Sequence, residues 1–170
     1  MKKLIVFSTL TGNTEKIANA IFSEIKGDKE IFNVKETQNI DVNDYDKIII
    51  GYWVDRGDAD EVSKIFMSKI KNKTIGTFGT LGADPSSEHA RSCVEKVRRF
   101  LENNGNKVER EFICRGAISP KIIEKFRKMT KEGVAGHHSA SPENEKRWSE
   151  AEKHPDKNDI ENSKNIFKGF

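Results

Sequence analysis

The sequence predicts a parallel α/β sheet wound with helices on both faces. Three observations predict it. Short apolar runs recur at residues 3–7, 31–34, 47–51, 74–79 and 108–114, the length and composition of strands. Segments of helical periodicity, not tight turns, separate most of these runs. One run, Lys47-Ile48-Ile49-Ile50-Gly51, is apolar throughout. That marks a strand covered on both faces, which is the habit of parallel sheets. Alternating strands and helices in one chain give a layered αβα architecture with right-handed crossovers.

Each element has its own reason. Residues 3–7 form the first strand. Residues 14–26 place Ile17, Ala18, Ile21 and Ile25 on one helical face, and Gly27-Asp28 ends that helix. Residues 60–71 do the same with Val62, Ile65, Phe66 and Ile70. The clearest helix is 87–104: Ala90, Cys93, Val94, Val97 and Leu101 make one stripe, and Asn104-Gly105 stops it. The strand at 108–114 is more polar than the others and suits a sheet edge. Beyond Cys114 a helix is expected at 119–131, a loop at 132–141, a polar helix at 142–154 around Trp148, and a closing helix within 156–170. The chain therefore reads as one domain, 1–170, with an insertion at 115–155 before the last helix. That insertion is about 40 residues, where α/β connections usually take 2–6.

Composition narrows the function. The chain has 170 residues, 34% charged and 35% hydrophobic, which suits one domain with a true core. No apolar run approaches the roughly 20 residues of a membrane span. The apolar stretch after Met1-Lys2-Lys3 is cut short by Ser-Thr-Leu-Thr-Gly-Asn, so it reads as a strand and not a signal peptide. A cytoplasmic protein without membrane insertion is expected. The net charge of +3 comes without a Lys/Arg block of the kind that binds nucleic acid. Cys93 and Cys114 lack metal or redox spacing and read as reduced core residues.

The chemistry concentrates at the carboxyl ends of the strands, where ligands sit in such sheets. Thr9-Leu10-Thr11-Gly12-Asn13-Thr14 joins the first strand to the first helix. A helix N-terminus offers unpaired N–H groups and a favourable dipole to an anion, and the three threonines add neutral donors. No lysine lies within the loop, which suits a phosphate held and not transferred. The plain alternative is a strand–turn–helix with Asn13 or Thr14 as N-cap. A second loop, 51–58, carries Tyr52 and Trp53; a third, 79–86, is glycine-rich. Together they suit a planar aromatic cofactor with a terminal phosphate.

On these residues the chain resembles the flavodoxin family. Residues 9–14 match its phosphate signature, Ser/Thr-x-Thr-Gly-x-Thr. The resemblance covers residues 1–114 and resumes from His154-Pro155-Asp156. It implies a flavodoxin-like, three-layer αβα fold with a five-stranded parallel sheet and an inserted helical segment before the last helix. It also implies FMN as cofactor. Thr9, Thr11, Gly12, Asn13 and Thr14 would hold the phosphate, Trp53 would flank the ring, and Gly79, Thr80, Gly82 and Ala83 would line its pyrimidine edge. Electron transfer to a partner reductase is implied more strongly than stand-alone catalysis, since no acid–base pair stands out. Three features depart from the family. The chain is slightly basic, the third loop lacks the usual Tyr, and the insertion is extra. The stretches 51–57 and 78–83, with the His154-Pro155-Asp156 tail, further resemble a subgroup associated with anaerobic bilirubin and tetrapyrrole reduction. That resemblance implies a haem or bilin ligand or partner. The alternative is a haem-binding carrier on the same scaffold, with His137 or His138 as axial ligand to the iron. Against it, an adjacent His pair in a loop is usually just polar.

Overall fold

The computed structural model describes residues 1–36, 40–134, 136 and 138–170. Its sheet contains β1 (Lys3–Phe7), β2 (Lys29–Asn33), β3 (Lys47–Asp55), β5 (Thr74–Leu81) and β6 (Lys107–Arg115), in the order β2-β1-β3-β5-β6. All four pairings along that path are parallel. A two-residue strand, β4 (Asp58–Ala59), pairs antiparallel with β3. The helices are α1 (Asn13–Glu24), α2 (Glu61–Met67), α3 (Glu88–Glu102), α4 (Pro120–Lys131), α5 (Pro142–Ala151) and α6 (Lys157–Phe167).

Alternation along the strands divides the core. Leu4, Val6, Ile48, Ile50 and Tyr52 face Phe66 and Met67 of α2 and Val97 and Leu101 of α3. Ile5, Phe7, Ile49 and Phe78 face Ile17 and Ile21 of α1 and Phe167 of α6. The expected αβα layering follows from this two-sided burial, each fully buried aliphatic contributing about 1.5–3 kcal/mol. Two strand glycines leave room for aromatic rings. A Cβ on Gly51 would lie 2.2 Å from Phe78, and one on Gly76 would lie 2.6 Å from Phe167. Cys93 and Cys114 are both free and buried, as expected, and burial raises both thiol pKa values.

Two boundaries move, and both matter for the site. The expected second loop, 51–58, is largely strand. β3 runs on to Asp55 because Tyr52 and Trp53 pair with Gly79 and Thr80, and Val54 pairs with Ala59. Arg56, at φ 48°, and Gly57, at φ 80°, turn the ribbon. The third loop starts later than expected, since Gly79, Thr80 and Leu81 lie inside β5. The helix at 60–71 ends early, at Met67. As expected, β6 is an edge strand, with an exposed or half-buried residue at nearly every position.

The segment expected as an insertion, 115–155, forms α4 and α5. It leaves β6 through Gly116, whose N–H donates to the Leu81 carbonyl, and Ala117, whose N–H donates to the His154 carbonyl. Phe126 of α4 stacks on Trp148 of α5 with ring centroids 5.9 Å apart. The Arg127 guanidinium grips the Glu145 carboxylate with two bonds of 2.7 and 2.6 Å. No described helix is long and apolar enough to cross a membrane.

Candidate functional site: a cleft at the carboxyl end of the sheet

The loop between β1 and α1 is shaped as an anion cradle. Gly12 is the N-cap of α1, so neither Asn13 nor Thr14 takes that place, and no side chain among the described residues caps the helix. Its φ of 89° lies in the left-handed region that glycine tolerates best. The Gly12 N–H donates to Thr9 Oγ1 at 2.9 Å, which closes the loop on itself. The first-turn N–H groups of a helix without a side-chain cap are then available to an anion.

The hydroxyls and the amide divide their tasks. Thr14 is buried, and its Oγ1 lies 2.9 Å from Thr80 Oγ1 of β5, so the two hydroxyls share a hydrogen bond inside the site. Thr11 is exposed, and its Oγ1 accepts from Asn13 Nδ2 at 2.9 Å. The same Asn13 nitrogen donates to the Ala117 carbonyl at 2.8 Å. Asn13 thus ties the cradle to the root of the insertion, and its backbone N–H is the donor it can turn to an anion. Gly116 makes this possible: a Cβ there would lie 2.7 Å from Asn13 Nδ2. Lys35, beyond β2, adds a cation at the rim, its Nζ 3.2 Å from the Thr9 carbonyl oxygen.

Beside the cradle lies a cleft of about 130 Å³. Thr11, Asn13, Thr14, Trp53, Thr80 and Gly82 line it, together with Ile118 and Ile122 from the segment after β6. Trp53 is fixed through its backbone. Its carbonyl accepts from the Asp60 N–H at 3.0 Å and its N–H donates to Asp60 Oδ2 at 3.3 Å. Asp60 also caps α2 through the Ser63 N–H. The Trp53 indole Nε1 is buried with no partner among the described residues. A buried donor left unmatched costs about 1–3 kcal/mol, and Ser8 Oγ and Tyr52 OH are likewise without a partner among the described residues.

The structure gathers most of the residues expected here, but not all. Thr9 and Gly12 shape the cradle, and Thr11, Asn13, Thr14, Trp53, Thr80 and Gly82 line the cleft. Gly79 lies within β5 under the Tyr52 ring, which a Cβ would meet at 2.8 Å, and it does not line the cleft. Ala83 stands past Gly82 on the far side, its carbonyl accepting from Arg115 Nε at 3.3 Å. His137 lies outside the described residues. The His138 ring stacks on Phe126 at 4.9 Å with an interplanar angle of 10°. The Ile118–Ile122 wall and Lys35 were not found from the sequence. The only signals for them were a helical apolar pattern in the insertion and a lysine just past a strand end.

This geometry agrees with relationships across the whole chain. Residues 4–168 match the model of the flavodoxin domain. The chain belongs to the flavodoxin-domain family. This flavodoxin-domain chain is 37% identical over 162 residues to the flavodoxin-like domain-containing protein BilS of Clostridioides difficile strain CD3, spanning 94% of this chain and 90% of that one. Its fold is similar to a flavodoxin from the domain Archaea, with a TM-score of 0.63 at 14% identity over 98% of this chain and 94% of the other. It is also similar to a Lactobacillus acidophilus flavoprotein in complex with FMN, with a TM-score of 0.52 at 23% identity over 66% of this chain and 91% of that one.

Proposed function

We propose that this flavodoxin-domain protein binds FMN in the cleft and passes electrons to a partner reductase of tetrapyrrole metabolism. One observation carries the cofactor assignment. The cradle at 9–14, with its left-handed Gly12 and a helix end that no described side chain caps, opens onto the same cleft that Trp53 lines. Phosphate donors and an aromatic side chain on one cleft suit the phosphate and the ring of FMN. When bound, FMN supplies one- or two-electron transfer.

The chain's own residues bind, orient and exclude water. The N–H groups at the start of α1, the threonine hydroxyls and Lys35 hold the phosphate. The buried Thr14–Thr80 pair fixes the cradle to β5. Trp53 presents its ring, and Ile118 and Ile122 keep water from the opposite side. The tetrapyrrole partner is supported by the 37% identity to BilS and by an insertion that walls the cleft. A haem carrier using His137 or His138 has less behind it, because the His138 ring is already engaged with Phe126.

The test is a visible absorption spectrum of the purified protein, then a titration with FMN. A yellow protein, or uptake of FMN at micromolar concentration, is expected. A colourless protein that leaves the spectrum of added FMN unchanged would contradict the assignment. Haem added to the FMN-loaded protein separates the alternative: a Soret shift abolished in a His137→Ala/His138→Ala double variant would favour the carrier.

A further inference from the structure

A second cavity, of about 460 Å³, lies next to the cleft and shares Gly82 with it. Its lining comes from two distant parts of the chain. Asp84, Ser87, His89 and Arg115 come from the sheet's carboxyl edge, and His138 and Arg147 from the insertion. Its volume falls within the range of small-molecule sites.

The charge of this cavity is unbalanced. Four arginines elsewhere find carboxylates: Arg91 meets Glu88, Arg98 meets Glu111, Arg99 meets Glu95 and Arg127 meets Glu145, while Arg56 and Arg110 have no such partner among the described residues. Arg147 has no ion pair or hydrogen bond among the described residues. Arg115 uses Nε on the Ala83 carbonyl, and its two outer nitrogens have no such partner among those residues. The one carboxylate present, Asp84, is turned to its own loop. It accepts from the N–H and the hydroxyl of Ser86, each at 2.8 Å, and these bonds, with a smaller contribution from the Arg115 charge, hold its carboxyl below the usual range. Two guanidinium groups and two imidazoles therefore line a cavity whose one carboxylate among the described residues is Asp84, which leaves positive charge in excess. A guanidinium matches a carboxylate with paired, parallel hydrogen bonds.

We propose that this cavity seats a carboxylate side arm of a conjugated small molecule whose body extends over Gly82 toward the cleft. The proposal rests on the tetrapyrrole reading above and gives its ligand a second anchor. Arg115 and Arg147 grip the side arm from opposite parts of the chain. The insertion thereby acquires a task that the family scaffold leaves undone, holding the ligand's charged end while the scaffold holds the cofactor.

The test uses the full chain loaded with FMN and follows the absorbance of biliverdin and of its dimethyl ester. Biliverdin is expected to bind at least about tenfold more tightly than the ester, the scale of one charge-assisted contact. Arg147→Gln and Arg115→Gln should each bring the acid toward the ester's affinity and leave the ester unchanged. Added salt should weaken the acid alone. Equal binding of acid and ester, or an Arg147→Gln variant that binds the acid normally, would overturn the carboxylate site and leave the tetrapyrrole reading standing. Failure of both compounds to bind would overturn the two together.

Discussion

The two sides of the cleft are built on different terms. On the scaffold side, Thr14 and Thr80 are buried, and the strands behind them carry fully buried side chains on both faces. On the insertion side, α4 is amphipathic, yet none of its residues is buried. Ile122 and Phe126 are only half covered. The scaffold is complete without a ligand, and the insertion keeps apolar surface that a bound molecule would cover. Local stability follows buried contacts, so the phosphate end should be rigid and the insertion wall should be the part that opens.

The largest effect should separate these regions by stability. Phe167→Ala removes a fully buried ring packed over Gly76 and beside Phe78. It should cost about 3–5 kcal/mol and lower the urea midpoint of the whole domain. Trp148→Ala removes the buried ring that α4 packs on through Phe126. It should accelerate proteolysis within residues 116–153 while the scaffold's own transition moves much less. Equal midpoint shifts in the two variants would mean that insertion and scaffold unfold as one unit.

Binding should separate them next. Thr11→Val with Thr14→Val removes two cradle hydroxyls at nearly constant volume. FMN affinity should fall by about tenfold to a hundredfold, read by fluorescence titration. Ile122→Ala trims the insertion wall and should weaken FMN only several-fold, on the scale of the one or two methylenes of contact it loses. If Ile122→Ala proved the more damaging change, the insertion and not the cradle would be the main anchor.

The sequence showed the scaffold more clearly than the wall, for a physical reason. Lys47-Ile48-Ile49-Ile50-Gly51 and the Ala90–Leu101 stripe carry their environment in their local pattern, so strand and helix could be read directly. The 9–14 loop was legible because its residues match a short family signature position by position. What escaped depends on distant partners. β3 passes Gly51 only because Thr80 and Ala59 pair with Trp53 and Val54. Asn13 reads as a phosphate ligand, yet its amide is engaged by the Ala117 carbonyl, 104 residues away in the chain. Arg115 and Arg147 look like ordinary surface charges until the insertion folds back and places them around one cavity.

The most direct measurement compares FMN with riboflavin, which has the same ring and lacks the phosphate. Several N–H groups, threonine hydroxyls and Lys35 gathered on one phosphate should make FMN at least about a hundredfold tighter. Equal affinity for the two flavins would contradict the cradle at 9–14 as the anchor of the site.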